Sequence, residues 1–380
     1  MRIRIIALAV ALALMLSGCS GDSAFLAFWQ NVFAVGTSPQ ETRPDVTLPS
    51  QTGTAPSSPT ESEPPVTAGP TDSPTEPPTE PPTDPPTEPP TEPPTEPPTE
   101  PPTVPPTEPA PTDPPVVVPE IRAEYAFVYS VNAQSLLYTK GDQTARTAPA
   151  SLTKLFTCYV ALTYLDVDTV VTIGEEVTWI AMDSSLVWLK QGQQLTVETL
   201  VAAMMLRSGN DAAYALAVAA GRAISEDPNM SARDALSRFM EEMNSLAKFY
   251  GITGSNFVNP DGYTADDHYT TPADMLTIAR LALLQPAITR YTCLEAVKGT
   301  FVSGESYSWG NTNHLIQSDS EYYCPAAIGL KTGYTEAAGQ CVIAAFAVGD
   351  DILIVGIMKS DSVKTRFEDA MALYNCFANT

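Results

Sequence analysis

The segment from residue 40 to residue 119 constrains this chain more than any other feature, because proline dominates it. Of the 36 prolines, 30 lie between Pro39 and Pro119, largely in Thr-Glu-Pro-Pro repeats. Proline fixes φ and lacks a backbone N–H, so this segment favours polyproline II over any packed structure. We therefore predict a disordered, acidic linker over residues 40–119 that acts as a spacer. A ligand for proline-binding modules is the alternative interpretation.

The N-terminus has the pattern of an export signal. Arg2 and Arg4 precede an apolar run over residues 5–16, which is too short to span a membrane and is followed by small residues. The sequence Leu-Ser-Gly-Cys at residues 16–19 resembles the lipobox of bacterial lipoproteins. This resemblance implies a signal peptide over residues 1–18, lipidation of Cys19 and an extracytoplasmic protein anchored to the membrane of a bacterium. A plain secreted protein is the alternative.

We predict that residues 19–39 form a membrane-proximal segment. Phe25, Phe28 and Trp29 fall near one helical face, which predicts that the segment lies in the membrane interface. A disordered segment is the alternative.

The remaining residues, 120–380, are long enough for one large domain with a full core. The chain has 44 acidic and 20 basic residues and no cluster of lysine and arginine, which argues against a nucleic-acid partner. His268 and His314 are the only histidines, so a His-rich metal site or a Ser-His-Asp triad is not expected. We predict no metal and no cofactor.

Predicted strands lie at both ends of this domain and predicted helices fill its middle. Two short strands are expected near residues 126–131 and 135–139, and the last third alternates into strands at 326–330, 340–348 and 351–358. Helices are expected from about Ser151, over 196–206, 211–224, 231–250 and 271–284, and from 362 to 377. The sequence therefore predicts an α+β fold in which the N-terminal and C-terminal strands form one antiparallel sheet beside a helical subdomain.

The first helix of this domain carries a hydroxyl and an amine on one face, since Ser151 and Lys154 are three residues apart. An unprotonated lysine can accept the proton of a serine nucleophile when burial and a second cation lower its pKa. The spacing alone is weak evidence, because Ser245 and Lys248 repeat it late in an amphipathic helix. We interpret that second copy as surface and core lining.

Two further motifs follow in order. Ser208-Gly209-Asn210 lies in a predicted turn between helices, where a hydroxyl and an amide can point into a cleft. Lys331-Thr332-Gly333, followed by Tyr334, reads as the end of a strand bordering the site; its lysine and threonine can bind a carboxylate, and its glycine admits a substrate backbone. An earlier Ser-x-Asn, at residues 130–132, precedes the nucleophile and falls in a hairpin.

This ordered series of motifs resembles the active-site motifs of penicillin-binding proteins and serine β-lactamases, which are Ser-x-x-Lys, then Ser-x-Asn, then Lys-Thr-Gly. From about residue 121 onward the chain is most similar to the D-alanyl-D-alanine carboxypeptidases, the low-molecular-mass penicillin-binding proteins. Supporting sequences lie at residues 257–262, 271–275, 311–313 and 329–335. The resemblance implies a transpeptidase-like fold, peptidoglycan stem peptides as substrates and β-lactam antibiotics as covalent inhibitors.

The resemblance also implies a role for each matching residue. Ser151 would be the nucleophile and Lys154 its base, with Ser208 relaying a proton to the leaving amine. Substrate would be bound by Asn210, Lys331, Thr332, Gly333 and Tyr334, with the backbone N–H groups of Ser151 and Tyr334 forming an oxyanion hole.

Three alternatives remain at this point. A β-lactamase would need fast deacylation, and Asn259-Pro260-Asp261 stands where the class A enzymes carry a glutamate-bearing loop. A DD-endopeptidase would use the same acyl-enzyme. A non-catalytic peptidoglycan-binding lipoprotein would not need all three motifs.

Cysteine, histidine and aromatic residues outside the motifs also have expected roles. Cys293 and Cys324 are the pair to test for a disulfide, although spacing does not reveal connectivity. His268 and His314 are expected to orient loops by hydrogen bonds. Trp188, Trp309 and Tyr263 either line the approach to the cleft or pack in the core.

Overall fold

The computed structural model describes residues 117–378. The predicted signal peptide, Cys19, the membrane-proximal segment and nearly all of the proline-rich linker lie outside the described residues. No helix within residues 117–378 is long and apolar enough to cross a membrane.

Nine strands and seven α-helices make up the described residues. The strands are β1 Tyr125–Ser130, β2 Ser135–Lys140, β3 Val170–Thr172, β4 Gln194–Thr196, β5 Ala296–Thr300, β6 Ser306–Gly310, β7 Ala327–Thr335, β8 Gly339–Val348 and β9 Asp351–Ser360. The helices are α1 Thr153–Tyr164, α2 Val197–Leu206, α3 Asn210–Ile224, α4 Ala232–Phe249, α5 Pro272–Leu283, α6 Pro286–Thr292 and α7 Val363–Phe377. Two short 3₁₀ helices, Ala150–Leu152 and Glu175–Thr178, complete the set.

A five-stranded antiparallel sheet joins the two ends of the domain, in the order β2-β1-β9-β8-β7. Strand β1 pairs with β9, with Ala126 opposite Ile357. The predicted α+β arrangement is therefore confirmed, including the meeting of its terminal strands.

Both faces of the sheet are covered, and this explains the long apolar runs in β8 and β9. Alternate residues such as Phe127 and Ile343 join a core with the helices of the middle of the domain, while Val128 and Val342 join a second core with α7. A strand buried on both faces needs apolar side chains at nearly every position.

Side-chain caps fix the helix starts that the sequence predicts. Thr196, Ser231 and Thr271 each accept a hydrogen bond from the backbone N–H three residues later, which satisfies a donor left free at a helix N-terminus. Pro272 occupies the first position of α5, where its missing N–H costs nothing.

Strand β7 is longer than predicted. It continues through Lys331, Thr332 and Gly333 to Thr335, because these residues pair with β8, for example Lys331 with Ile343. The motif thus lies within the edge strand of the sheet, where its backbone borders the cleft. The antiparallel pair β3–β4 and the hairpin β5–β6 were not predicted from the sequence.

The structure also decides the predicted pairing of Cys293 with Cys324 and the place of Trp309. No disulfide joins Cys293 to Cys324. Trp309 is 4% exposed and belongs to the core, so for this residue the packing alternative is the correct one. Trp188, in contrast, is 69% exposed.

Candidate active site

The Ser151 hydroxyl and the Lys154 amine meet at the start of α1. Ser151 lies in the 3₁₀ helix that leads directly into α1, and Lys154 lies in the first turn of α1. Lys154 Nζ is 2.8 Å from Ser151 Oγ. The pair therefore has the geometry of a nucleophile in contact with its base.

Lys154 is completely buried, and two further acceptors surround its amine. Nζ donates to Asn210 Oδ1 at 2.8 Å and to the backbone carbonyl of Asp261 at 2.7 Å. Burial lowers the pKa of Lys154 to about 8, although the carboxylates of Asp261 and Asp211 oppose that shift. A neutral amine has two N–H groups, which these two acceptors satisfy, and its lone pair is then left for the proton of Ser151.

The turn between α2 and α3 places Ser208 and Asn210 at the cleft. Ser208 is nearly buried and has a φ of 62°. Gly209 suits this position, because a Cβ here would lie 2.9 Å from a methyl group of Val187, which would then have to shift. The backbone N–H of Asn210 donates to the carbonyl of Ser185 at 2.8 Å, which ties the turn to the preceding loop.

Strand β7 forms the opposite wall. Gly333 packs against the 3₁₀ helix, where a Cβ would lie 3.2 Å from the Cβ of Ala150. The hydroxyls of Thr332 and Thr312 are 2.8 Å apart. Lys331 is buried, and burial together with the positive charges of Lys154 and Arg366 holds its pKa well below the ordinary range.

The loop over residues 259–263 closes the cleft below Ser151. A Cβ at Gly262 would lie 1.8 Å from the carbonyl oxygen of Ala150, so only glycine permits this approach. His268 braces the same region: its Nε2 lies 3.0 Å from Thr153 Oγ1, and its Nδ1 accepts from the backbone N–H of Val258. Burial lowers the pKa of His268 to about 4, so the ring is neutral and orients loops as expected.

These walls enclose a cavity of about 910 Å³. Ser151, Ser208 and Asn210 line it together with Thr332, Gly333 and Tyr334, whereas the buried Lys154 and Lys331 lie behind its surface. All eight predicted catalytic and substrate-binding residues thus belong to one cleft or its immediate support. The predicted lipidation site, Cys19, lies outside the described residues.

The other copies of the motifs lie elsewhere. Ser245 and Lys248 are exposed on α4. Ser130 is at the end of β1, where its hydroxyl donates to Asp351. No group of three or more potential metal ligands occurs among residues 117–378.

Arg366 was missed by the sequence reasoning. It lies on α7 with 7% of its surface exposed, lines the cavity and donates from Nη1 to the carbonyls of Gly333 and Cys341 at 3.4 and 3.3 Å. Burial lowers its pKa to about 10. The available signal was an arginine on a helical face that otherwise buries apolar residues, and such a pattern does not reveal which cleft the side chain enters.

Comparison with known proteins agrees with this geometry. The family model for the D-alanyl-D-alanine carboxypeptidases of peptidase family S11 matches residues 111–362. The D-alanyl-D-alanine carboxypeptidase DacF of Bacillus subtilis is 28% identical over 255 residues, which cover 64% of this chain and 59% of the relative. The D-alanyl-D-alanine carboxypeptidase of Streptomyces strain K15 is 30% identical over 269 residues, which cover 68% of this chain and 88% of the relative.

The solved structures give the same result. The crystal structure of the Streptomyces K15 DD-transpeptidase matches with a TM-score of 0.62 and 29% identity, covering 69% of this chain and 98% of that one. The chain spans 59% of the length of the Bacillus relative but nearly all of the Streptomyces structure. Because the family model covers more than half of the chain, the protein belongs to the D-alanyl-D-alanine carboxypeptidase family, peptidase family S11.

Proposed function

We propose that this protein is a serine D-Ala-D-Ala carboxypeptidase that removes the terminal D-alanine from peptidoglycan stem peptides. One observation carries the proposal: Lys154 Nζ lies 2.8 Å from Ser151 Oγ in a buried setting that lowers the lysine pKa to about 8. At neutral pH a useful fraction of such a lysine is uncharged and can act as a base.

The reaction begins with proton transfer from Ser151 Oγ to Lys154 Nζ. Ser151 Oγ then attacks the carbonyl carbon of the bond between the two terminal D-alanines. The backbone N–H groups of Ser151 and Tyr334 stabilise the resulting oxyanion, and each donor contributes about 3 kcal/mol to such a transition state. The C–N bond breaks as the proton held by Lys154 is relayed through the Ser208 hydroxyl to the leaving amine, and D-alanine departs. Water then hydrolyses the acyl-enzyme, which releases the shortened peptide and restores the Ser151 hydroxyl.

Substrate binding uses the two walls of the cleft. On one wall, Asn210 hydrogen-bonds the substrate backbone. On the other wall, Lys331 and Thr332 bind the terminal carboxylate, and Gly333 lets the peptide lie against β7. The positive charge of Arg366, buried behind Gly333, favours an anion on the same side. A β-lactam that mimics the dipeptide would acylate Ser151 and leave slowly.

The N-terminal sequence indicates where the protein acts. The lipobox-like sequence supports an extracytoplasmic protein that is held to the membrane by a lipid on Cys19, with residues 40–119 as a spacer before the catalytic domain over 120–380. The mass of the mature protein tests this directly: it should begin at an acylated Cys19. A mature protein with an unmodified cysteine would overturn the anchor without affecting the proposed activity.

The activity is tested with the full chain and Nα,Nε-diacetyl-Lys-D-Ala-D-Ala. We expect D-alanine release by the wild type, none above background by Ser151→Ala, and wild-type release by Ser245→Ala, which changes the serine of the exposed second motif. Labelled penicillin should attach at Ser151. Release that persists in Ser151→Ala, or label found on another residue, would contradict the proposal.

A second candidate is transfer of the acyl group to an amine in place of water. The Streptomyces K15 structure that this chain resembles is named a DD-transpeptidase. Adding glycylglycine to the same assay distinguishes the two: transfer would convert part of the substrate into a longer peptide, whereas a strict carboxypeptidase would yield only the hydrolysed product.

A further inference from the structure

The cavity contains an anionic group that the mechanism above does not use. Asp183 lies in the connection between the 3₁₀ helix Glu175–Thr178 and β4, lines the cavity and is exposed. Its carboxylate accepts a hydrogen bond from the hydroxyl of Tyr263, at 3.2 Å to Oδ1 and 3.4 Å to Oδ2. None of the ion pairs among residues 117–378 includes Asp183. The carboxylate of Asp183 therefore lines the cleft, and its hydrogen-bond partner, the Tyr263 hydroxyl, is uncharged.

The loop that carries Asp183 is hydrogen-bonded to the turn and helix start around Ser208 and Asn210. The buried carboxylate of Asp211 accepts hydrogen bonds from the backbone N–H groups of Val187 and Leu189, at 3.1 and 2.9 Å. The carbonyl of Ser185 accepts from the N–H of Asn210. Asp183 is therefore positioned relative to Ser208 and Asn210 before any substrate arrives, which reduces the entropic cost of using it in binding.

The hydrogen bond to Tyr263 connects this loop with the loop below the nucleophile. Tyr263 follows Gly262, which touches the 3₁₀ helix of Ser151. The carboxylate of Asp183 raises the pKa of the Tyr263 hydroxyl, so the hydroxyl stays protonated and continues to donate. Asp183 and Tyr263 thus define the side of the cleft formed by the two loops, whereas Thr312 and Thr332 define the side formed by β7.

The two sides of the cleft carry charges of opposite sign. Lys331 and Arg366 lie at β7, on the side assigned to the terminal carboxylate of the substrate. We expect the peptide on the other side of the bond that Ser151 attacks to leave the cleft away from those two cations, where the exposed carboxylates of the cavity, Asp183 among them, can meet it. A carboxylate on that side favours a cationic group on the substrate and disfavours an anionic one.

We propose that Asp183, held by Tyr263, is a specificity-determining residue that pairs with a primary ammonium group on the side chain of the residue preceding the two D-alanines. The inference rests on the proposed function and specifies its substrate class: stem peptides whose third residue carries a free side-chain amine. Glu336, the other exposed carboxylate of the cavity, lies in the turn after β7 and has no hydrogen bond among the described residues to hold it in place.

Two substrates that differ by one charge test the proposal. Nα-acetyl-Lys-D-Ala-D-Ala has a free side-chain ammonium, and Nα,Nε-diacetyl-Lys-D-Ala-D-Ala does not. With the full chain, we expect the wild type to show a kcat/KM about two- to five-fold higher for the charged peptide, the range of an exposed ion pair. This ratio should fall toward one at high salt, because exposed charges are screened.

Variants assign the preference to Asp183. Asp183→Asn should bring the ratio close to one, Asp183→Glu should retain part of the preference, and Tyr263→Phe should reduce it by freeing the carboxylate. Asp168→Asn, outside the cavity, is the matched control and should keep the wild-type ratio. Because the readout is a ratio within one protein, a general loss of folding or activity does not imitate the expected result.

The outcomes separate the two proposals. A wild-type ratio of one, an unchanged ratio in Asp183→Asn, or loss of the preference in Glu336→Gln alone would overturn the role of Asp183 and leave the carboxypeptidase intact. Release of D-alanine from neither peptide by the wild type would overturn the proposed function, and this inference with it.

Discussion

The two Ser-x-x-Lys sequences of this chain share a spacing but have different surroundings. Lys154 is fully buried at the start of α1, where its amine contacts Ser151, Asn210 and the carbonyl of Asp261. Ser245 and Lys248 are exposed near the end of α4. Spacing on a helix thus determines which side chains share a face, but burial determines whether an amine can lose its proton near neutral pH.

The position of each helix in the fold produces this difference. Helix α1 begins beneath β7 and the loop over residues 259–263, so its first turn is covered on several sides. Helix α4 buries one stripe only, at Ala232, Ala235, Phe239, Met243 and Ala247. Ser245 and Lys248 fall outside that stripe, which leaves them in water.

The largest expected effect follows from removing the buried amine of Lys154, which we propose as the base. Lys154→Ala should lower the rate of acylation by penicillin about 10²- to 10⁴-fold, the usual contribution of general acid–base catalysis. Lys154→Arg should be similarly impaired, because a guanidinium keeps the charge but does not give up its proton. Rates of acylation measured by mass spectrometry test both.

Lys248→Ala is the matched control for these variants and should acylate at the wild-type rate. Equal losses in Lys154→Ala and Lys248→Ala would refute the distinction between the two motifs. A thermal melt of each variant confirms that it is folded before the rates are compared.

The pH dependence of acylation sharpens the comparison further. With a Lys154 pKa of about 8, the rate should rise about ten-fold for each pH unit below that value and level off above it. Asp261→Asn removes a carboxylate that raises the pKa of Lys154, so this pKa falls and the midpoint of the profile moves to lower pH. The profile should be measured with a neutral acyl donor, and a midpoint that stays in place would show that burial alone sets the Lys154 pKa.

His268 supports only the first of the two motifs, through Thr153 in the first turn of α1. Its pKa of about 4 lies below the unfolded value of about 6.5, so the unfolded chain takes up a proton first as pH falls. Its contribution is complete above pH 6.5 and is lost progressively toward pH 4. Between pH 7 and pH 5 the free energy of unfolding should fall by roughly 2 kcal/mol from this group.

His268→Asn tests this contribution, because the asparagine oxygen can replace Nδ1 as the acceptor for Val258 but does not titrate. Urea unfolding at pH 7 and pH 5 should give a smaller difference for the variant than for the wild type. Equal differences would mean that His268 is not the group responsible.

The smallest effect belongs to the second motif. The double variant Ser245→Ala/Lys248→Ala should change the free energy of unfolding by less than about 0.5 kcal/mol, as is usual for exposed positions without special contacts. Urea unfolding at pH 7 provides the measurement. A loss of several kcal/mol would reveal a structural role for these residues that their exposure does not suggest.

Local signals in the sequence were sufficient for much of the fold. The caps at Thr196, Ser231 and Thr271 act within three residues, so the starts of α2, α4 and α5 could be predicted. The pairs β3–β4 and β5–β6 could not, because their strands have only three to five residues, and those of β3–β4 are also separated along the chain by residues 173–193. Arg366 could not be placed either, since its contacts with Gly333 and Cys341 join residues 33 and 25 positions away.

The order of the three motifs, the helix start that places Ser151 beside Lys154, and the family to which these residues point can all be read from the residues alone. Which Ser-x-x-Lys is buried, and what surrounds it, depends on how the chain folds. Lys154 meets Asn210 and Asp261 across 56 and 107 residues of chain, and its pKa depends on that enclosure. Desolvation is a property of all the atoms packed around a group, so neighbours in sequence do not fix it.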